Sequence, residues 1–391
     1  MSELYELPDG WEWKKLNTVL NVQNGYAFDS KLFSEEIGIQ LIRIRDLKNG
    51  FKTVSKFTGT YDEKFIVRKN DFLIGMDGDF VCYRWKGENS LLNQRVCRLI
   101  DFNSNLNANY IFYGINKFLH DIHKVTAFVT VKHISSKQIK EINFPIPVFQ
   151  EQKRIVLKLD SLFKKIDKTI ALHQKNIDEA NVFMGSVLND VFVELEEKYK
   201  KVKLSTVIKI IGGGTPSKKE KAYWNNGTIK WATVGDMNVE TIINTELSIN
   251  ENGLKNSSSN LIPKEAIIIA TRVGLGKVCY LNDDTAINQD LKGLLPLSDE
   301  LNIRFLFNFF KNIQKYIISN GTGATVKGVK LDFIKELLIP LPPLKTQQKT
   351  VTYLDSISKE LETLKQTQKE KMESLVALKA SILDQVFRGE L

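Results

Sequence analysis

The stretch FPIPVFQEQKRIVLKLDSLF, residues 144–163, returns 195 residues later as IPLPPLKTQQKTVTYLDSIS, residues 339–358. The register extends in both directions without a gap. Over residues 130–192 against 325–387, about 18 of the 63 pairs are identical, where composition alone would give roughly four. Thr130-Val131-Lys132 returns as Thr325-Val326-Lys327, Ile139-Lys140-Glu141 as Ile334-Lys335-Glu336, Leu159-Asp160-Ser161 as Leu354-Asp355-Ser356, and Val191-Phe192 as Val386-Phe387. Upstream, Asn93-Gln94 keeps the same offset to Asn288-Gln289. Since 195 is half of the 391 residues, the chain is one design written twice, and two such copies commonly pack about a pseudo-twofold axis.

Each copy has two parts. Residues 1–147 and 198–342 carry short β-branched and aromatic runs broken by Gly and Asn, such as Gln40 to Ile44, Asp71 to Ile74, Thr228 to Val234 and Ala266 to Ala270, which read as strands. Amphipathic stretches at Asn109 to His123 and Asn302 to Ile318 read as helices, so each globular part is a mixed α/β unit whose sheet order the sequence leaves open. After each Pro-x-Pro, Pro145 with Pro147 and Pro340 with Pro342, residues 148–197 and 343–391 hold a sustained helical period. The apolar seam falls at Ile155, Leu159, Leu162, Ile166, Ile170, Ile177, Met184, Leu188 and Val191 in the first helix. In the second it falls at Val351, Leu354, Ile357, Leu361, Leu364, Met372, Leu375, Leu378 and Ile382. Both seams weaken at mid-length, near His173-Gln174 and Gln366 to Gln368. A helix of about 45 residues rises about 68 Å, more than a small domain can bury, so two with matching seams are expected to pair as an antiparallel coiled coil. Two unrelated surface helices are the alternative.

Charge locates the partner. The chain carries 55 Lys and Arg against 46 Asp and Glu, a net +9. The helices hold 7 basic and 9 acidic residues in 148–197, and 8 and 7 in 343–391, so the globular parts carry the excess, +3 and +7. A reader of duplex DNA needs its Lys and Arg on the domains that meet phosphates; a solvated basic surface is the alternative. Cys82, Cys97 and Cys279 include no C-x-x-C pair, which fits a reducing cytoplasm, and no apolar run is long enough for a leader or a membrane span.

Catalytic patterns fail one by one. Gly274-Leu275-Gly276-Lys277 comes nearest to a phosphate loop, but Thr271 stands at the first glycine and Val278 at the hydroxyl. Leu341-Pro342-Pro343-Leu344 lacks the Asn or Asp and the aromatic residue of a methyltransferase motif. Pro8-Asp9 lies too close to Glu12-Trp13-Lys14 for a nuclease hairpin. His120 and His123 have no cysteine or acidic triad beside them, and Gly212-Gly213-Gly214 reads as a turn.

With these features on record, the chain resembles, over essentially its whole length, the specificity subunit of type I restriction-modification enzymes. The resemblance rests on LPDGW (7–11), GYAF (25–28), GGGTPS (212–217), IKWATVGDM (229–237), the junctions FPIPVFQEQ (144–152) and IPLPPLKTQ (339–347), and LDQVFRGEL (383–391). One departure is that the second copy opens at Lys200-Lys201-Val202-Lys203-Leu204 without the Pro-Asp-Gly-Trp lead. The resemblance implies two target-recognition domains, each reading one half of a split asymmetric DNA sequence, with the helix pair setting the unread spacer. It also implies two methyltransferase subunits and two restriction/translocase subunits as partners. S-adenosylmethionine, ATP and Mg would act on those subunits, and this chain would hold no cofactor or metal and catalyse nothing. A non-catalytic coiled-coil scaffold linking two protein-binding domains is the rival reading, and a fused methyltransferase or nuclease is a third.

Two domains that read different half-sites must differ where they touch bases, whereas features shared at offset 195 serve the fold, a phosphate or a common partner. Lys132 and Lys327 are therefore expected at phosphates or in a structural salt link. Asn93-Gln94 and Asn288-Gln289 are expected in a buried turn ahead of an adenine contact. Pro145, Pro147, Gln152, Pro340, Pro342 and Gln347 are expected to form the junctions. Base readers are sought among unmatched side chains: Arg43, Arg45, Tyr83, Arg84 and Lys86 in the first domain, and Lys218, Lys219, Trp224, Arg272 and Lys277 in the second.

Overall fold

The computed structural model describes residues 5–48, 51–125, 133–323 and 325–390. The chain divides into two compact units, one running through His173 and resuming at Glu370, the other Gln174–Lys369. The division falls inside both long helices, so each unit holds one globular domain and a segment of each helix.

In the first unit the strand Trp11–Lys15 pairs antiparallel with Asn143–Pro147, with Trp11 opposite Pro147. A four-stranded antiparallel sheet follows in the order 21–24, 96–100, 72–75, 82–84. A second sheet runs in the order 33–34, 56–57, 39–42, 90–92, 66–67. The second unit repeats the plan. Lys201–Lys203 pairs with Leu338–Pro340, one sheet has the order 208–212, 291–296, 267–270, 278–281, 241–242, and another has 247–249, 229–232, 285–287, 260–262. The second sheet of each domain contains a parallel pair, Leu41 opposite Leu91 and Trp231 opposite Ala286, and the second domain's first sheet adds another, Thr241 opposite Tyr280.

The offset of 195 persists in this pairing even where identity is lost. Gly75 lies opposite Val96 and Ala270 opposite Leu291; Phe72 lies opposite Leu99 and Ile267 opposite Leu294. A one-residue difference in the hairpin that follows moves the next strand by one, so Arg84 lies opposite Phe72 where Tyr280 lies opposite Ile267. The expected strands are present, and those expected to reach Ile44 and Val234 stop at Ile42 and Ala232 because Ile44 and Val234 open helical turns instead. In each, an aspartate two residues on caps the turn: Asp46 Oδ2 accepts from Arg43 N (2.8 Å) and Asp236 Oδ2 from Thr233 N (2.7 Å). The helix expected from Asn302 is capped by that asparagine but breaks at Ile313 into Ile303–Asn312 and Gln314–Ser319.

The long helices span Phe149–Lys198 and Leu344–Arg388. Their first turns are fixed by the matched glutamines. The Gln152 Oε1 accepts from Asn107 N (2.8 Å) and its Nε2 donates to the carbonyls of Asn105 (3.2 Å) and Pro147 (2.9 Å). The Gln347 Oε1 accepts from Asn302 N (2.8 Å), and its Nε2 donates to Glu300 (2.7 Å) and Pro342 (2.9 Å). Their far ends enter domain cores. Phe387 is fully buried against Tyr110 and Phe144, and a Cβ on Gly114 would lie 2.4 Å from its ring; Phe192 is fully buried against Phe305 and Phe309. Burying a phenylalanine contributes about 1.5–3 kcal/mol, so each helix end is held by its host domain.

Between those ends the helices pair antiparallel. In the first unit Lys379 Nζ donates to Asp167 (2.8 Å) and lies over the Phe163 ring (4.7 Å). In the second, Asn176 Nδ2 donates to Gln368 Oε1 (3.2 Å) and Lys365 Nζ to Asn181 Oδ1 (3.1 Å), so residue numbers rise in one helix as they fall in the other. The seam of the second helix corrects the expected one by a residue at two places. Leu364 and Leu378 face solvent, and Lys365 and Lys379 face inward. The stripe 361, 365, 368, 372, 375, 379, 382, 386 alternates spacings of four and three, which keeps one face toward the partner helix; the lysine stems lie along the groove while their ammonium groups reach polar partners.

Gln152→Ala and Gln347→Ala are each expected to lower unfolding free energy by about 1–3 kcal/mol, because each leaves one N–H and two carbonyls at a half-buried junction without a partner. Urea unfolding of the full chain measures this, and a loss under about 0.5 kcal/mol, the range of an ordinary surface change, would show that the clamp is dispensable.

Candidate nucleic-acid interface

One edge of each domain gathers three loops. In the first domain the strand Phe72–Gly75 runs into residues 76–81, the strand Ser90–Leu92 into the turn 93–95, and the chain returns through His133. Met76 N donates to the Arg95 carbonyl (2.9 Å) and Ile134 N to the Met76 carbonyl (2.8 Å), which ties the loop bases together. The second domain repeats these bonds at offset 195: Thr271 N to the Asp290 carbonyl (2.9 Å) and Val329 N to the Thr271 carbonyl (2.9 Å). The Asn-Gln turn sits at the centre. Asn93 and Asn288 are buried, and Gly25 and Gly213 pack so closely on them that a Cβ would fall 2.0 Å and 2.1 Å from their carbonyl oxygens. Gln94 and Gln289, one residue on, are exposed, and Gln289 accepts a hydrogen bond from the Thr215 hydroxyl.

The side chains proposed from sequence divide between this edge and other surroundings. Arg272 is exposed at the second domain's edge, with Nη1 3.4 Å from Asp290 Oδ1, and Lys327 is exposed on the returning loop. Lys277 closes the same hairpin and donates to Asn238 Oδ1 (2.7 Å). Lys218 and Lys219 are exposed in the loop that follows Gly212 to Thr215. Lys132 lies outside the described residues.

Arg43 precedes the turn at Ile44–Lys48 and lies over the Phe33 ring (5.4 Å), and Arg45 is exposed within that turn with Nε 3.9 Å from Asp46 Oδ1. Lys86 is exposed near Phe51, and Tyr83 is partly buried beside Trp85 and Leu73, where burial raises its hydroxyl pKa.

Two candidates are tied into the fold. Arg84 donates to Asn109 Oδ1 (2.9 Å) and lies over Phe72 (5.3 Å) and Phe112 (4.9 Å). The second domain rebuilds that cluster from other positions, with Arg304 over Tyr280 at 4.4 Å, so the guanidinium here belongs to packing between sheet and helix. Trp224 donates to the Ser217 carbonyl (3.1 Å) and packs edge-on against buried Trp231.

Arg95 and Asp77, which are not among the side chains expected from sequence, meet at this edge with Nη1 to Oδ1 at 3.7 Å. The signal was available, since Arg95 directly follows the repeated Asn-Gln and Asp290 follows its second copy.

The cysteines are buried and free of disulfides, and burial pushes the Cys97 and Cys279 thiols up to about 12 and Cys82 higher still, which keeps them protonated. Among the described residues no group of three or more His, Cys, Asp or Glu is placed to hold a metal, and no helix is long and apolar enough to cross a membrane.

Comparison with known proteins gives one consistent result. The family described as type I restriction modification DNA specificity domain matches residues 8–181 and again 196–374. The specificity subunit of the type I restriction enzyme EcoBI from Escherichia coli is 26% identical, over 99% of this chain and 88% of its own length. A putative specificity subunit, MjaX, from Methanocaldococcus jannaschii is 25% identical over 100% and 96%. Among solved structures, a chain from work on complex assembly and conformational transition of the type I R-M system has a TM-score of 0.72 at 21% identity, covering 99% of this chain and 100% of that one. The HsdS subunit from Thermoanaerobacter tengcongensis has 0.54 at 19%, covering 100% and 99%. With the family matching twice across most of its length and the doubled fold behind it, this chain belongs to the type I restriction-modification DNA specificity family.

Proposed function

We propose that the chain is the non-catalytic, sequence-reading subunit of a type I restriction-modification complex in the cytoplasm, with each domain contacting one half of a split, asymmetric duplex target. The observation that carries this reading is the duplicated three-loop edge. One backbone framework, bonded at matched positions and carrying a shared exposed Gln, presents its exposed arginine from different places in the two copies, Arg95 in one and Arg272 in the other. A shared frame with different tips is what two half-sites of different sequence demand. The positive charge carried by the domains, +3 and +7 against helices near neutrality, supplies the phosphate attraction.

The long helices serve as the spacer and as a docking surface for two methyltransferase subunits, with two restriction/translocase subunits joining the assembly. Apolar side chains stay exposed on both helices, among them Leu157, Leu172, Val182, Phe183, Tyr353 and Val376. Helix faces that keep such groups in water are suited to a protein partner. The methyl transfer with S-adenosylmethionine and the ATP- and Mg-dependent steps belong to those partners, and this chain's part is to bind and position.

Purified full chain is expected to bind duplex DNA carrying its target with an affinity that falls steeply with salt, with a log–log slope of about −5 or steeper for six or more phosphate contacts. A flat salt response would favour the protein scaffold. A second expectation concerns the spacer. Inserting four residues into each long helix at matched mid-length positions adds about 6 Å, and should lengthen the preferred gap between half-sites by about two base pairs while leaving both half-site sequences as they were. Methylation mapping of a random-spacer library in cells reads this out, and an unchanged gap would remove the spacer role from the helices.

A further inference from the structure

At the duplicated edge the two copies share an ion pair with its ends exchanged. Asp77 and Arg272 occupy the same position at offset 195, as do Arg95 and Asp290. In the first domain the carboxylate sits on the hairpin loop and the guanidinium on the Asn-Gln turn, at 3.7 Å; in the second the guanidinium sits on the hairpin loop and the carboxylate on the turn, at 3.4 Å. The returning loop follows the exchange. His133 Nδ1 lies 2.6 Å from Asp77 Oδ1 and 3.4 Å from Arg95 Nη1, while the matched position in the second domain is Gly328, where a Cβ would come within 3.1 Å of Arg272 Cγ. A side chain at 328 would crowd the arginine that the reversed pair places there.

Stability does not account for this arrangement. Both arginine side chains are more than half exposed, 59% for Arg95 and 57% for Arg272, against 37% for Asp77 and 13% for Asp290, and a pair whose guanidinium stays in water adds little to folding. Arg95 also holds a left-handed backbone (φ 73°), which a side chain adopts at a cost, whereas Asp290 is not among the residues with positive φ. Beside each pair, on the same turn, stands the exposed Gln94 or Gln289.

We infer that this reversible Asp–Arg pair is the base-discriminating element of each domain. The carboxylate holds the guanidinium in place in the free protein, and on the duplex the guanidinium fork turns to the O6 and N7 edge of a guanine. Reversing the pair changes which loop delivers the fork, so one framework reads a different base pair in each half-site. The inference rests on the DNA-reading function proposed above and names side chains for it, three of them, Arg95, Asp77 and Asp290, outside the set proposed from sequence.

The test selects duplexes with randomised half-sites on the full chain, followed by sequencing, for Arg95→Ala, Arg272→Ala, Arg95→Lys and the two exchanges Asp77→Arg with Arg95→Asp and Arg272→Asp with Asp290→Arg. Each alanine variant should lose about 5- to 150-fold discrimination at one guanine-containing base pair, in one half-site for Arg95 and in the other for Arg272. Arg95→Lys, which keeps the charge and the pair but not the fork, should lose the same preference. The exchanges, checked by thermal melting to remain folded, should shift the preferred base. If the folded exchange variants keep the wild-type preference, or if the alanine variants weaken every sequence equally, the pair is a surface salt link or a phosphate contact and the inference fails while the DNA-reading function stands. Wild-type chain that selects no sequence overturns both.

Discussion

Each domain is finished by a phenylalanine that a long helix brings to it. Phe387 fills the space between Tyr110, Phe144 and the bare backbone of Gly114, and Phe192 fills the matching space against Phe305 and Phe309. Because these rings are core residues, the helix that carries each is part of its host domain. The Gln152 and Gln347 clamps do the same at the launching ends, where one side chain satisfies three backbone groups of the preceding loop and strand. Domain and helix are therefore one folding problem in each unit, and the freedom to vary is left to exposed side chains on the loops of the edge.

That division of labour explains which residues repeat. Offset 195 is strict in the junctions, the clamps and the arriving Val-Phe pairs, since all of them solve the same packing geometry twice. It is strict in hydrogen-bond register, too, through strands 72–75 and 96–100 and their counterparts, where almost no residue is shared. Buried strands ask only for apolar bulk of about the right size, so Phe72 and Ile267 or Leu73 and Ile268 serve equally. Identity decays first where many side chains fit.

The legible part of the sequence was thus the part under the narrowest steric demand. Helix lengths, the pairing of the seams and the duplication were readable because proline punctuation and a period of three and four leave few alternatives. Sheet order was not readable, since strands of two to six residues carry almost no periodic signal and their partners are distant in the chain. The two misplaced seam positions, Leu364 and Leu378, show the limit of reading hydrophobicity alone: a leucine next to the stripe looks better than a lysine on it. The surroundings of Arg84 were hidden for a related reason. A cationic side chain on a strand resembles a reader until Phe72, Phe112 and Asn109 are seen around it, and nothing local in the sequence announces that they meet.

Lys365, Lys379, Asn176 and Gln368 give the helix pair one further property. Apolar seams alone are forgiving, because a heptad moved along by seven residues, about 10 Å, meets another heptad much like it. Here such a slip would drive ammonium stems and an amide against aliphatic neighbours with their partners, Asp167 and Asn181 among them, out of reach. The polar groups act as teeth that admit one alignment in each unit. Within each unit, a helix pair notched in this way is held in one register by its polar contacts as well as by its apolar packing.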